Sequence, residues 1–283
     1  MIPKLRYCLL LFLVAPCNGW SQPLQDSFAK PKPFSFITNI PRDVAGFTKQ
    51  SFKRDKLSRL TRIAEATAFL LLTDQSITNT IQDVSDDHNI RSEEKFSPIL
   101  NFNIGGKNTN IGKLPQNLNT AFYFLGQGSS TMFMAAGFFV IGKIKKDNRA
   151  LQTASQLTEA FITLGIGTQA MKYFTGRENP SDATTAGGRW RPFPSWKDFQ
   201  NNKPRYDAFP SGHLACFVSA MTIISNNYPE KKWIKPLGYT IAGLCSLAML
   251  NNGVHWASDF PLGFALGHGF GKFISKKHRI KAV

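Results

Sequence analysis

Two histidines, a serine–glycine pair and a carboxylate stand in this chain at spacings that suit phosphate-ester chemistry. Pro210-Ser211-Gly212-His213 precedes an apolar run from Leu214 to Ile224, and His255-Trp256-Ala257-Ser258-Asp259 follows further on. Ser211 occupies the place of a helix N-cap, so the backbone N–H groups of Gly212 and His213 are expected to point out of the helix start. A helix N-terminus with glycine in its first turn admits an oxyanion close to the backbone and favours its charge. His213 then stands beside the leaving oxygen of a bound phosphoryl group. Asp259, four residues after His255, is expected to hold one imidazole nitrogen protonated and leave the other as a nucleophile. Ser258 reads as the N-cap of a further helix that carries Pro261 early and runs through Leu266 to Phe273.

Each piece also has a plainer reading. Pro-Ser-Gly-His serves equally as a turn with a helix cap, and an isolated His255 as a hydrogen-bonded core residue. What favours chemistry is a third segment upstream, Lys172-Tyr173-Phe174-Thr175-Gly176-Arg177-Glu178-Asn179-Pro180, which places two cations and a glycine at the end of an apolar helix.

In order and spacing these three segments resemble the superfamily of type 2 phosphatidic acid phosphatases, bacterial acid phosphatases and vanadium haloperoxidases, across roughly residues 120 to 275. Pro210-Ser211-Gly212-His213 matches that family's second motif in full, Lys172 and Pro180 match the first, and His255 with Asp259 match the third. The resemblance implies an all-α helical bundle whose active site lies at helix ends and connecting loops; no cofactor and no metal are expected. It implies that His255 attacks phosphorus to give a phosphohistidine, that Asp259 orients His255, and that His213 protonates the leaving group and then activates water. Lys172, Ser211 and Gly212 would hold the phosphoryl oxygens.

Two positions depart from the family pattern. Asn179 stands where the family has arginine before Pro180, and Ala248-Met249 where it has Ser-Arg. Losing one donor to a developing oxyanion costs about 3 kcal/mol. Arg177, helped by Arg189 or Arg191 in the following loop, is expected to take over part of the phosphate clamp, and Asn251 and Asn252 are placed to donate amide hydrogens. Three outcomes remain open: a phosphatase acting on phosphate monoesters, lipid phosphates or pyrophosphates; a weakened member that binds phosphorylated lipid without turnover; and a vanadium-dependent haloperoxidase.

Between Gly176 and Ala208 apolar periodicity is lost, and prolines alternate with Trp190, Phe193, Trp196 and Phe199. A loop of that length inside a compact domain is usually functional, and its aromatics argue against disorder. It is expected either to roof the phosphate site and meet the rest of the substrate or simply to be pinned to the scaffold.

The elements that must position these residues read as helices. After the segment beginning at Asp55 and ending near Asp74, apolar helices are expected near 118–145, 153–174, 212–226, 234–250 and 259–274. No strand alternation persists, so the fold class is all-α. Residues 1–21, with Lys4 and Arg6 before an apolar run and small residues near Ser21, read as a signal peptide. Residues 22–110 form an N-terminal extension with the first helices, and 111–283 the phosphatase catalytic domain. Cys8 and Cys17 leave with the signal; Cys216 and Cys245 read as small core residues, a disulfide between them being the lesser alternative. The formal net charge is +16. For an exported, periplasmic or membrane-associated protein such a surface meets lipid headgroups or phosphorylated metabolites, not nucleic acid. Asp83, Asp86, Asp87 and His88 read as an acidic helix end, not a metal site. Leu114 to Gly142 carries no charge and is long enough to span a membrane. Against spanning stand the glycine interruptions of the last helix, Gly263, Gly267, Gly269 and Gly271, and a mean hydropathy of −0.18.

Overall fold

Helix α8 (Gly212–Asn227) runs through the centre of the molecule and separates two apolar clusters. On one side Ala220 and Ile223 meet Leu157 and Leu164 of α6 (Asn148–Thr175) and Phe270 and Ile274 of α10 (Phe260–Lys277). On the other, Phe217 and Val218 meet Tyr123 of α4 (Leu118–Gly126) and Cys245 and Met249 of α9 (Ile234–Asn251). A helix with apolar side chains around most of its circumference is stable only when covered on all sides, and here the neighbouring helices cover it on both sides. The computed structural model describes residues 28–277 apart from 91, 93, 94, 105 and 106. The expected signal peptide, with Cys8 and Cys17, lies outside the described residues.

The remaining elements are α1 (Ser35–Thr38), α2 (Ile40–Ser51), α3 (Leu57–Asp87), α5 (Gly128–Ile144), α7 (Trp196–Asn201) and a hairpin, β1 (Phe96–Ile104) with β2 (Lys107–Pro115). The all-α expectation holds, with that antiparallel hairpin as its exception among the described residues. Helix α3 continues a full thirteen residues beyond Asp74, to Asp87. Asp83, Asp86, Asp87 and His88 are exposed at its end. Cys216 and Cys245 are both buried free thiols, which burial pushes up to about 11 and about 12.

Local chemistry sets the helix ends that matter for the site. Asp147 caps α6, accepting from the N–H groups of Arg149 at 2.8 Å and Ala150 at 3.2 Å. At the other end Gly176 ends the helix in the left-handed region, φ 55°. A side chain there would also strike the Arg191 carbonyl, 1.8 Å from an added Cβ. Ser211 caps α8, its Oγ accepting from the Leu214 N–H at 3.3 Å.

The glycines of the last helix do not interrupt it. Helix α10 is continuous from Phe260 to Lys277. Gly263, Gly267 and Gly271 repeat every four residues and form a groove for α8: added Cβ atoms would lie 2.6, 2.3 and 2.8 Å from the carbonyl oxygens of Ser211, Ala215 and Ser219. Small residues at this spacing let two backbones approach to a distance larger side chains forbid.

Two further expectations change. The uncharged stretch from Leu114 to Gly142 is not one rod, because Leu114 belongs to β2 and α4 meets α5 at a 69° bend. Among the described residues no single helix is long and apolar enough to cross a membrane. The N-terminal segment also packs closely on the rest: α3 contacts α9, α10 and the short turn Ala257–Asp259. Asp43 of α2 pairs with Lys277 of α10, and burial, with the Asp43 carboxyl close by, raises Glu159 of α6 to about 8.

Gly267→Leu is expected to lower the unfolding free energy by about 1–3 kcal/mol or more, because the new side chain must displace the α8 backbone. Gly137→Ala is expected to raise it by about 0.5–1 kcal/mol, since a helical glycine is replaced where a Cβ meets nothing within 4 Å. Chemical denaturation of both variants checks the pair.

Candidate active site

His213 lies in the first turn of α8, and His255 stands just before the turn Ala257–Asp259 that leads into α10. The close α8–α10 crossing brings them together. Nδ1 of His213 is 3.3 Å from Nε2 of His255, with the rings nearly perpendicular at 72°. Nδ1 of His255 lies 2.7 Å from the Ala208 carbonyl oxygen. A carbonyl oxygen only accepts, so this contact places the His255 proton on Nδ1 and leaves the lone pair on Nε2. Burial, then the neighbouring His255 and Lys172, push the His213 pKa well below its ordinary value.

Asp259 is fully buried. Its Oδ2 accepts from the Trp256 N–H at 2.7 Å and lies 3.4 Å from His255 Nδ1. Ala208 therefore makes the shorter contact to the imidazole, and Asp259 contributes mainly charge. The Ala208 carbonyl escaped sequence reasoning because a backbone acceptor has no signature in residue type.

Arg177 does not enter a phosphate clamp. It is fully buried, and its donors are spent inside the protein. Nη1 donates to Asp259 Oδ1 at 2.6 Å and Ser258 Oγ at 2.7 Å; Nη2 donates to Asp74 Oδ2 at 2.6 Å and the Gly187 carbonyl at 2.7 Å; Nε donates to that carbonyl at 3.3 Å. All the N–H donors of a guanidinium are thereby accounted for. The rings of Trp190 and Trp256 lie 4.9 and 5.4 Å from its central carbon. Ser258 is likewise not a helix cap: its N–H and Oγ both donate to Asp74, at 2.9 and 2.5 Å. Asp74 of α3, which sequence reasoning passed over, anchors this network from more than a hundred residues upstream. A fully buried aspartate in the middle of a helix is the structural mark it leaves.

Arg191 is also engaged, paired with Glu178 and 3.3 Å from Thr184 Oγ1. Burial by itself would raise the Glu178 carboxyl; the N–H groups of Thr184 and Arg189, with the Arg191 guanidinium, hold it at about 2. Arg189 is exposed, and its guanidinium makes no hydrogen bond or ion pair among the described residues. Lys172, buried at the end of α6, has Nζ 3.7 Å from Asp207 Oδ2. The N–H groups of Gly212 and His213 make no hydrogen bond among the described residues. An added Cβ at Gly212 would lie 2.9 Å from Thr168 Oγ1, so α6 leaves no room for a side chain there.

At the two departures from the family pattern nothing replaces the lost charge directly. Met249 is buried with its sulfur 3.8 Å from Ser211 Oγ, and Asn179 is buried with Oδ1 unpartnered. Asn251 and Asn252 do not serve the site: Asn251 donates to the Ile90 carbonyl and Asn119, and Asn252 accepts from Asn119.

Residues 153–281 match the model of the PAP2 superfamily. A lipid A 1-phosphatase of Porphyromonas gingivalis is 34% identical over 62 residues, which is 22% of this chain and 14% of that protein. The chain thus spans a small part of that relative's length. No solved structure matches.

Asp74→Ala is expected to destabilise the fold by about 3–5 kcal/mol, because it leaves Arg177 as a buried charge with one partner fewer. The depressed pKa of His213 has a second consequence. Below about pH 6.5 the unfolded chain takes up a proton that the folded site refuses, so this histidine's contribution to stability is lost as pH falls. Denaturation midpoints measured between neutral and mildly acidic pH should fall less steeply for His213→Gln than for the native chain.

Proposed function

We propose that this PAP2-type segment makes the chain a phosphatase for lipid phosphates or related monoesters and pyrophosphates, working through a phosphohistidine on His255. The observation that carries the reading is the pair of imidazoles in contact, with the His255 proton held on Nδ1 by Ala208 and its Nε2 lone pair directed at His213. The P. gingivalis relative supports a lipid-linked phosphate as substrate class.

In the first step the Nε2 lone pair attacks phosphorus, the bond from phosphorus to the leaving oxygen breaks, and His213 gives that oxygen a proton. The substrate phosphate brings the negative charge that favours protonated His213 in the complex, offsetting its depressed pKa in the empty site. In the second step His213 takes a proton from water, the hydroxyl oxygen attacks phosphorus, and the P–N bond breaks to return its electron pair to Nε2. Inorganic phosphate leaves. Positive charge on the His255 ring is greatest in the covalent intermediate. Two buried carboxylates, Asp74 and Asp259, against one guanidinium leave a net negative charge beside it.

Oxyanion stabilisation falls to the open N–H groups of Gly212 and His213, to the helix dipole of α8 and to Lys172. Arg189 is the guanidinium we assign to the clamp, since Arg177 and Arg191 are otherwise engaged. Ser211 acts by capping α8 and so aiming those N–H groups. A second reading, binding of phosphorylated lipid without turnover, is favoured by Met249, which sets a thioether where the family carries a charge.

Hydrolysis of a chromogenic phosphate ester by the purified chain should vanish in His255→Ala and fall by about 10²–10⁴ in His213→Ala. Alkaline quenching during turnover should capture phosphate on the native protein and none on His255→Ala. A native chain that binds lipid phosphate but never releases inorganic phosphate would establish the second reading instead.

A further inference from the structure

The segment that follows the first motif carries a cluster of aromatic rings that the chemistry does not use. Phe174, Phe193 and Trp196 are 55%, 65% and 66% exposed, yet they are not scattered. Phe174 and Phe193 lie 5.6 Å apart, and Tyr173 bridges Phe193 at 6.3 Å to Trp196 at 6.1 Å. Beneath them the buried ring of Phe199 packs on Tyr173 at 5.4 Å and anchors the group. The cluster is therefore a pre-ordered platform, not a set of loose side chains. Phe193 adopts a left-handed backbone, φ 54°, which costs energy for a residue with a Cβ, and its N–H is held by the Tyr173 carbonyl at 3.1 Å. Strain spent on keeping an apolar ring in water needs a compensating contact elsewhere. Along α6 the platform continues through Ala170 to Ile166, both exposed and successively one turn back.

Charge indicates what covers this surface. Between Ala186 and Tyr206, with Arg191 paired to Glu178 and Arg189 assigned to the phosphate site, Lys197, Lys203 and Arg205 remain as exposed cations against one acid, Asp198, which is itself bonded to Tyr206 and Asn202. Exposed aromatic rings in a segment that also carries exposed cations are suited to the boundary between headgroups and acyl chains, where rings enter the apolar side and cations meet phosphate. The platform is also tied to the residue two positions before the α8 cap, Phe209. Thr175 Oγ1 donates to the Phe209 carbonyl at 2.9 Å, and Trp190 lies against Phe209 at 5.4 Å.

We propose that Phe174, Phe193 and Trp196 with the exposed cations of this segment form a docking surface for an anionic lipid bilayer, which sets the mouth of the histidine site at headgroup level. This deepens the proposed function by saying where the phosphate is met, but its test does not depend on turnover.

The full chain is mixed with phosphatidylglycerol-containing vesicles and with pure phosphatidylcholine vesicles, and retention is measured by co-sedimentation at low and high salt. Retention should be stronger on the anionic vesicles and weaken with salt. The double variant Phe193→Ser/Trp196→Ser should lose about tenfold or more in vesicle affinity, with an unchanged thermal midpoint and unchanged hydrolysis of a soluble phosphate ester. Brominated lipid should quench a fluorescence component that Trp196→Phe removes. Equal retention of native and double-variant protein would overturn the proposal, as would a native dimer that the double variant dissolves without any change in vesicle binding. Patch-dependent retention by a chain with no hydrolytic activity would sink the enzymatic reading alone. Soluble-ester hydrolysis with patch-independent retention would sink the docking surface alone.

Discussion

The ion pairs of Arg177 with Asp259 and Asp74 hold three remote parts of the chain in one place. A guanidinium with no solvent contact must find acceptors for every N–H, and the acceptors here come from α3, from the loop after α6 and from the turn before α10. Because a buried charge tolerates little displacement from its partners, the position of Asp259 is determined to within a hydrogen-bond length. Asp259 in turn holds the Trp256 N–H and so shapes the turn that carries His255. A buried arginine that makes no contact with either histidine thus has leverage over the position of His255, the residue proposed above as the nucleophile. The first helices belong to the same construction, although residue 74 lies outside the matched family segment.

The second constraint is steric. Ser211 caps α8 and His213 lies in its first turn, Asp259 ends the turn before α10, and the glycine groove lets these helices cross closely enough for the Ser211 N–H to reach the Asp259 carbonyl at 3.1 Å. The imidazole pair follows from this geometry. Helix ends then supply the electrostatics: the N-terminus of α8 offers open N–H groups to an anion, and the C-terminus of α6 sets Lys172 beside it. Placed at the ends of rigid helices, the two histidines take their positions from the scaffold, while the exposed aromatic rings lie at the end of α6 and in the segment that follows it.

Legibility in the sequence followed the range of the interactions. Ser211 as a cap, Gly176 as a helix end and the helical run after Leu214 are local decisions within a turn or two, and they stand as read. Misreadings arose wherever a side chain had a choice of distant partners. Arg177 has the residue type and the position of a phosphate ligand, yet Asp74 and Asp259 claim it first. Ser258 looks like a cap but donates to Asp74. Asn251 and Asn252 stand near His255 in sequence and turn instead toward Asn119. The glycines of α10 read as interruptions because, within one helix, glycine only weakens it; their use lies in the neighbour they admit. The hairpin was missed although Gly105-Gly106 between short alternating runs is its sequence signal.

By itself the sequence determined the inventory: two histidines and a carboxylate at motif spacing, a capped helix with open N–H groups at its start, an all-helical core, and Asn179 and Met249 where the resembled pattern carries arginine. These depend on residue type and short separations, which the linear chain states outright. Tertiary structure decided the assignments: Ala208 as the acceptor that sets the His255 tautomer, Arg177 as a buried tie, Asp74 as its anchor, and Phe174, Phe193 and Trp196 as one exposed surface. Those outcomes depend on which groups compete successfully for a partner across long separations, and that competition is resolved only when the helices pack.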